Sequence, residues 1–164
     1  MKDKIKKYFK EFILFALVLF IVSNALSYYR SSDLNKNDFD IKSVKLLDDT
    51  IYTIVENKPL IIHFWATWCP TCHLEAANIE RISKDYEVIT IAVQSGTKEE
   101  IESYLQKNKL SFKVVNDENA YHSTKFNISV FPTTLIYDSN KNLKFSEVGY
   151  TTTAGLYSRM ALIK

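Results

Sequence analysis

The two cysteines of the chain lie in one short motif, Trp68-Cys69-Pro70-Thr71-Cys72, which restricts the possible folds more than any other feature. Residues 60–65, just before the motif, form an apolar run typical of a strand that is buried on both faces of a sheet. Proline suits the first turn of a helix, where a backbone N–H is not needed and a fixed φ is favourable. The motif therefore predicts two thiols at the junction between a buried strand and a helix.

A position at the start of a helix makes the two thiols chemically unequal. Cys69 is expected at the helix N-terminus, where the positive end of the helix dipole and unpaired backbone N–H groups favour its thiolate. We therefore predict that Cys69 is the nucleophile and that Cys72, one turn further on, is the resolving thiol. Cys69 would attack a substrate disulfide, and Cys72 would break the resulting mixed disulfide. The reverse reaction uses the same atoms.

The spacing of the cysteines disfavours two inert roles. A structural disulfide that closes a loop of two residues hardly restrains the unfolded chain, so it would stabilise the fold little. A structural zinc site usually needs four ligands from two such pairs, and this chain has one pair. No metal site is predicted.

Two other functions fit the segment Cys69-Pro70-Thr71-Cys72-His73 and stay open at this stage. The segment matches C-x-x-C-H, the attachment motif for c-type haem, with His73 as the proximal iron ligand. The second axial ligand would then be His63 or His122. Alternatively, the two cysteines and His73 are soft ligands that suit Cu(I). The thiol-exchange interpretation needs no cofactor, and it accounts best for the position of the motif after a buried strand.

Hydrophobic periodicity along the rest of the chain predicts alternating strands and helices. Strands are expected at residues 44–47, 51–55, 60–65, 88–93, 112–115, 133–137 and 143–148. Helices are expected at residues 70–85, from a capping box at Thr97 and Glu100 to about residue 108, after a cap at Asn116 or Asp117, and after Gly149. This order indicates one α/β domain, with helices around a mostly parallel sheet that ends in an antiparallel hairpin.

The N-terminal region has the pattern of an export signal. Five lysines precede an uninterrupted apolar run at residues 12–22, which extends to Tyr28 and Tyr29. As a helix, residues 12–29 would be about 27 Å long, close to the hydrocarbon thickness of a bilayer. We therefore predict a basic cytoplasmic N-terminus at residues 1–11, a transmembrane anchor at 12–29, a linker at 30–40 and an exported domain at 41–164. The alternative is a signal peptide cleaved near Ser23-Asn24-Ala25, which exports the domain as well.

The charge of the exported part excludes one class of partner. From residue 30 onward the chain has 16 basic and 17 acidic residues. Binding of nucleic acid requires a basic face or stripe, which a nearly neutral domain of this composition does not predict. No nucleic-acid partner is therefore expected.

The segment from Phe64 to Cys72, with Glu75 three residues further on, resembles the active-site segment of membrane-anchored thioredoxin-like proteins of the TlpA/ResA type. Residues 147–152 (EVGYTT) are similar to the ScsD-like branch, the periplasmic protein disulfide oxidoreductases. The resemblance covers about residues 41–164 and implies a thioredoxin-like fold, in which helices flank a central mixed β-sheet. The helix and strand expected at residues 97–115 match the insertion that such proteins add to the thioredoxin core.

The resemblance also implies a client groove beside the cysteines. Pro132 matches a cis-proline that faces them, and a proline there frees the preceding backbone to pair with an extended substrate. The residues expected to border the groove around an exposed Cys69 sulfur are Trp68, Pro70, Thr71, Phe131 and Thr133.

The same resemblance suggests two residues, Glu75 and His63, that could influence the active-site thiols. Glu75 matches a carboxylate that tunes the active-site thiols, although a solvated helix residue is the alternative. His63 stands where thioredoxins place a buried acid. It is expected either to relay the proton of Cys72, because an imidazole titrates near the working pH, or to be a hydrogen-bonded core histidine.

The activity implied by the resemblance is that of an extracytoplasmic thiol:disulfide oxidoreductase. Such a protein exchanges its cysteine pair with the cysteines of client proteins, here as a reductant or isomerase. The implied location is the bacterial inner membrane, with a single pass and the domain in the periplasm. The implied partners are client proteins and a membrane protein that donates or accepts electrons.

Overall fold

The computed structural model describes residues 8–15, 17–19, 21, 22, 25 and 41–163. From residue 41 onward the strands are β1 (Ser43–Lys45), β2 (Ile51–Thr53), β3 (Leu60–Trp65), β4 (Glu87–Val93), β5 (Lys113–Asp117), β6 (Thr133–Tyr137) and β7 (Leu143–Val148). The helices in this part are α1 (Pro70–Ile82), α2 (Lys98–Asn108), α3 (Tyr121–Lys125) and α4 (Thr153–Leu162). The predicted strands and helices are confirmed, with small differences at their ends.

Five strands form one mixed sheet in the order β5-β4-β3-β6-β7. β3, β4 and β5 are parallel neighbours, whereas β6 is antiparallel to both β3 and β7. The sheet is therefore half parallel rather than mostly parallel, because β6 returns beside β3 in the opposite direction. β1 and β2 form a separate antiparallel hairpin.

The central strand β3 is buried along its whole length. Ile61 and Trp65 pack with α1, α2 and α4 on one face of the sheet. Leu60, Ile62 and Phe64 pack on the other face with the β1–β2 hairpin and the residues that follow α3. A strand with helices and strands on every side needs apolar residues at successive positions, which explains its unbroken pattern. The strand points directly at the cysteine motif.

Local sequence signals account for the ends of two helices. α1 begins at Pro70 with Cys69 as its N-cap, and it ends at Ile82, three residues before the predicted end. Beyond Ile82 the chain turns, with the backbone N–H of Asp85 bonded to the carbonyl of Ile82, and so leads into β4. α2 begins with the predicted capping box of Thr97 and Glu100.

The start of α3 differs from the prediction that Asn116 or Asp117 caps it. Both residues belong to β5, and the N-cap position is Ala120. The Asp117 carboxylate nevertheless accepts the backbone N–H groups of His122 and Ser123, each at 2.9 Å. Asp117 therefore caps the helix across a turn rather than from the N-cap position, because the strand extends further than its apolar residues indicate.

The N-terminal predictions fall partly outside the described residues. Residues 1–7, 16, 20, 23, 24 and 26–40 are not among them, and this set includes the predicted linker and much of the predicted anchor. Within the residues that the structure describes, no helix combines the length and the apolar character that crossing a bilayer requires.

Candidate active site

Cys69 and Cys72 form a disulfide at the start of α1, with their Cα atoms 5.3 Å apart. The backbone N–H of Cys72 points at the Cys69 sulfur, at an N to S distance of 3.2 Å. This donor and the helix N-terminus would both stabilise a thiolate at Cys69 after reduction. Both residues are buried, with 5% of Cys69 and 2% of Cys72 exposed, so Cys69 as a residue is less exposed than the sequence suggested.

The loop between β4 and α2 holds the segment that precedes the cysteines. The Thr67 N–H donates to the Ser95 hydroxyl at 3.0 Å, and the Thr67 hydroxyl donates to the Ser95 carbonyl at 3.2 Å. The Trp68 indole N–H donates to the Gln94 carbonyl at 3.1 Å. Gln94 and Ser95 belong to no sequence motif, and their position just after a buried strand is the one signal in the sequence that points to them.

His73 also binds the segment that precedes the cysteines. Its Nε2 donates to the Thr67 carbonyl at 2.5 Å, and its ring lies 5.2 Å from the Tyr104 ring of α2. Haem attachment would require a nitrogen of this imidazole as an iron ligand, but Nε2 is used to hold the cysteine loop. His63, the other candidate ligand on this side, is buried under the helices. No observation in the described part of the protein favours the haem or copper alternative, and no cluster of three metal-ligating side chains occurs there.

The Phe131–Pro132 peptide bond is cis, and the turn that contains it adjoins the cysteine motif. The rings of Trp68 and Phe131 meet edge to face with their centroids 5.7 Å apart. In the β3–β6 register Thr133 pairs with Phe64, so Pro132 lies at the end of β3 from which the cysteine motif extends.

The residues of the expected groove differ in exposure. Trp68 is 59% exposed and Pro70 is exposed, while Thr71 and Phe131 are half-buried. Thr133 is only 1% exposed, and its hydroxyl donates to the Val130 carbonyl at 2.8 Å. Thr133 therefore supports the turn from inside rather than bordering the groove.

Glu75 lies one turn after Cys72 and is completely buried. Its Oε1 accepts the backbone N–H of Thr151 at 3.1 Å, and its Oε2 has no hydrogen-bond partner among the described residues. Burial, with a contribution from the nearby Glu147 carboxylate, raises the pKa of Glu75 to about 8. The side chain is therefore a carboxylic acid at neutral pH, close to the thiols, rather than a solvated helix residue.

His63 lies on the face of the sheet that α1 covers, in one row with its cross-strand neighbours Thr90, Thr134 and Glu147. Its Nδ1 is hydrogen-bonded to the Thr134 hydroxyl at 2.9 Å. Burial lowers the pKa of His63 to about 3, because no carboxylate compensates for its lost hydration. The imidazole therefore does not titrate near neutral pH, and the second alternative, a hydrogen-bonded core histidine, describes it better than a proton relay.

These two pKa shifts predict an unusual dependence of stability on pH. The folded protein loses stability as pH falls from 6.5 towards 3, because unfolded His63 takes up a proton that the buried ring does not bind. It also loses stability as pH rises from 4.5 to about 8, because unfolded Glu75 ionises first. Between pH 6.5 and 8 the His63 effect fades and the Glu75 effect dominates, at up to about 1.4 kcal/mol per pH unit.

Glu75→Gln should therefore gain stability relative to the parent protein across that range, by about 1 to 2 kcal/mol between pH 6.5 and pH 8. Urea unfolding of both proteins at the two pH values measures the difference. If the free energies of unfolding of the two proteins changed equally between pH 6.5 and pH 8, Glu75 would not titrate in this range.

The amino-acid sequence is similar to those of a known protein family. A sequence model described as the AhpC/TSA family matches residues 31–146. The chain is 28% identical to a thioredoxin-like protein of Haemophilus influenzae over 96% of this chain and 95% of that protein. It is also 28% identical to the thiol-disulfide oxidoreductase ResA of Oceanobacillus iheyensis, over 80% of this chain and 74% of ResA.

The fold has clear counterparts among solved structures. A secreted Mycobacterium tuberculosis disulfide oxidoreductase, described as homologous to E. coli DsbE, superposes with a TM-score of 0.65 at 20% identity. The superposition covers 74% of this chain and 95% of that chain. This likeness confirms the predicted thioredoxin-like α/β fold with a mixed central sheet.

Proposed function

Since the chain belongs to the AhpC/TSA family, we propose that it is an extracytoplasmic thiol:disulfide oxidoreductase that exchanges the Cys69–Cys72 pair with cysteines of client proteins. The observation that carries this proposal is the disulfide at the start of α1, in which the Cys69 sulfur accepts the N–H of Cys72. The relative named thiol-disulfide oxidoreductase ResA supports it independently.

The reaction consists of two exchanges. The Cys69 thiolate attacks one sulfur of a client disulfide, the client S–S bond breaks, and the other client sulfur leaves as a thiolate. Cys72, once deprotonated, attacks the Cys69 sulfur of the mixed disulfide and releases the second client sulfur. The client gains two electrons, and the Cys69–Cys72 pair becomes the disulfide. We assign Glu75 as the acid that exchanges a proton with the thiols, because it is buried one turn from Cys72.

We propose the reducing or isomerising direction, with a membrane protein that returns electrons to the cysteine pair. The resemblance to the TlpA/ResA type supports this direction. Equilibration of the full-length chain with glutathione redox buffers, followed by trapping of free thiols, measures the reduction potential of the pair. We expect a value below about −220 mV, whereas a value near −120 to −150 mV would make the protein an oxidant.

We also propose that residues 12–29 anchor the protein in the bacterial inner membrane, with the domain in the periplasm. The apolar run at residues 12–22 and the five preceding lysines support this arrangement. The M. tuberculosis protein described as secreted supports an extracytoplasmic location. After alkaline carbonate washing of cell membranes, the full-length chain should stay in the membrane pellet. Release of a shortened chain into the wash would indicate a cleaved signal peptide instead.

A further inference from the structure

Segment 149–153, which runs from the end of β7 to the first residue of α4, touches both parts of the proposed active site. The backbone N–H of Gly149 donates to the Pro132 carbonyl at 2.8 Å. Two residues later, the backbone N–H of Thr151 donates to Oε1 of Glu75 at 3.1 Å. One short segment therefore contacts the turn that contains the cis-proline and the buried acid on the cysteine helix.

Asn78 binds this segment from α1, one turn after Glu75. Its Nδ2 donates to the Tyr150 hydroxyl at 3.1 Å and to the Thr151 carbonyl at 3.0 Å. Its Oδ1 accepts the Thr153 hydroxyl at 2.8 Å. A primary amide has two N–H donors and one carbonyl acceptor, so a single side chain makes all three bonds. Asn78 is therefore the main polar contact between α1 and segment 149–153 in the described part of the protein.

The bonds of Asn78 and Glu75 meet at Thr151. Asn78 holds the carbonyl of Thr151 while Glu75 accepts its N–H, so both backbone polar groups of this buried residue are bound to α1. An N–H donor favours the ionised form of a carboxyl group, and the strength of that effect depends on the position of the donor. The Thr151 carbonyl, which Asn78 binds, belongs to the same residue as that N–H.

We propose that Asn78, assisted by the Tyr150 hydroxyl, is a positioning residue for thiol exchange. It holds segment 149–153 so that the Thr151 N–H stays on Glu75 and the Gly149 N–H stays on the Pro132 carbonyl. The inference rests on the proposed function and deepens it. It links the acid on the cysteine helix to the turn that binds the client, through a residue outside the cysteine motif.

Other titratable groups surround Glu75, and a test must leave the charges around it unchanged. β7 contributes Glu147, which is paired with Arg159 of α4 through an Nε to Oε1 contact of 2.6 Å. β3 contributes His63, and the two cysteines lie at the N-cap and in the first turn of α1. Segment 149–153 adds Tyr150. A suitable substitution therefore removes a hydrogen bond without adding or removing a charge.

Three variants of the full-length chain meet this requirement. Asn78→Ala removes all three bonds, and Tyr150→Phe removes a single hydroxyl, which keeps the test possible if Asn78→Ala does not fold. Tyr157→Phe is the matched control, because its hydroxyl joins α4 to Asp85, just beyond the C-terminal end of α1, and makes no hydrogen bond to segment 149–153. The rate at which each reduced protein is oxidised by glutathione disulfide is measured between about pH 6 and 9. Glu75→Gln identifies the inflection that belongs to Glu75.

We expect Asn78→Ala to move the Glu75 inflection upward by roughly half to one pH unit, because the weakened Thr151 bond favours the carboxylate less. Tyr150→Phe should move it in the same direction by a smaller amount, and Tyr157→Phe should leave it in place. An unchanged inflection in Asn78→Ala and Tyr150→Phe, an equal shift in Tyr157→Phe, or a parent profile without a Glu75 inflection would overturn the inference. Cys69→Ser separates this failure from failure of the proposed function, which would be shown by exchange that continues without Cys69.

Discussion

Cys69→Ser is expected to reduce the rate of disulfide exchange by roughly a thousandfold or more, because a serine hydroxyl does not ionise at neutral pH and forms no disulfide. The structure explains why Cys69 rather than Cys72 is expected to be the nucleophile. Cys69 is the helix N-cap, and its sulfur receives the N–H of Cys72, so the thiolate is stabilised there rather than at Cys72. The measurement is the reduction of insulin disulfides by the full-length chain with dithiothreitol as the electron source.

Cys72→Ser is the matched partner in this experiment. It keeps the nucleophile but removes the thiol that resolves the mixed disulfide, so a covalent complex with the client should accumulate. Gel electrophoresis without reducing agent, after thiols are blocked, detects that complex. If Cys69→Ser accumulated the complex and Cys72→Ser did not, the two roles would be reversed.

Phe64→Ala is expected to lower the free energy of unfolding by about 3 to 5 kcal/mol. Phe64 is 0% exposed in the central strand β3, and its ring centroid lies 5.5 Å from that of Phe126. Removal of the ring leaves a cavity between the sheet and the residues that follow α3, where backbone pairing on both sides of β3 prevents collapse. Urea unfolding monitored by circular dichroism measures the loss.

Tyr121→Ala is the control for this substitution. Tyr121 is also aromatic, but it is 66% exposed at the start of α3, so its replacement should change the free energy of unfolding by no more than about 0.5 kcal/mol. A similar loss in both variants would mean that burial in β3 does not determine the effect. The activity of Phe64→Ala at low temperature should stay measurable as long as the protein is folded.

The limits of β3, β6 and β7 were predictable from sequence because each is an apolar or alternating run bounded by polar turns. The start of α1 and the capping box of α2 were predictable because proline and the Thr97–Glu100 pair act through local backbone geometry. Asp117 was harder to place, since its carboxylate caps a helix across a turn whose length the local pattern does not indicate.

The cysteine pair and its position at the start of a helix could be predicted from the sequence. The hydrogen bonds and buried side chains around the pair could not. The bond from Thr151 to Glu75 joins residues 76 positions apart, and those from Thr67 to Ser95 join residues 28 apart. Such contacts depend on the order of the strands in the sheet. The spacing of residues within one strand or helix does not indicate that order. The protonation of His63 and Glu75 depends on burial in the same way.

The separation between Glu75 and Thr151 also determines when the active site is complete during synthesis. The ribosome adds the cysteine motif well before Thr151, the residue whose N–H occupies the Glu75 carboxylate. Domains generally fold as units, with N-terminal parts of the chain emerging first. In a growing chain the thiols are therefore made before the residues that surround Glu75, and the two meet only after β7 and Thr151 have been added. Oxidation or client capture before that point would involve cysteines without the Thr151 bond to Glu75, so the chemistry of this protein depends on segment 149–153 as much as on its cysteine motif.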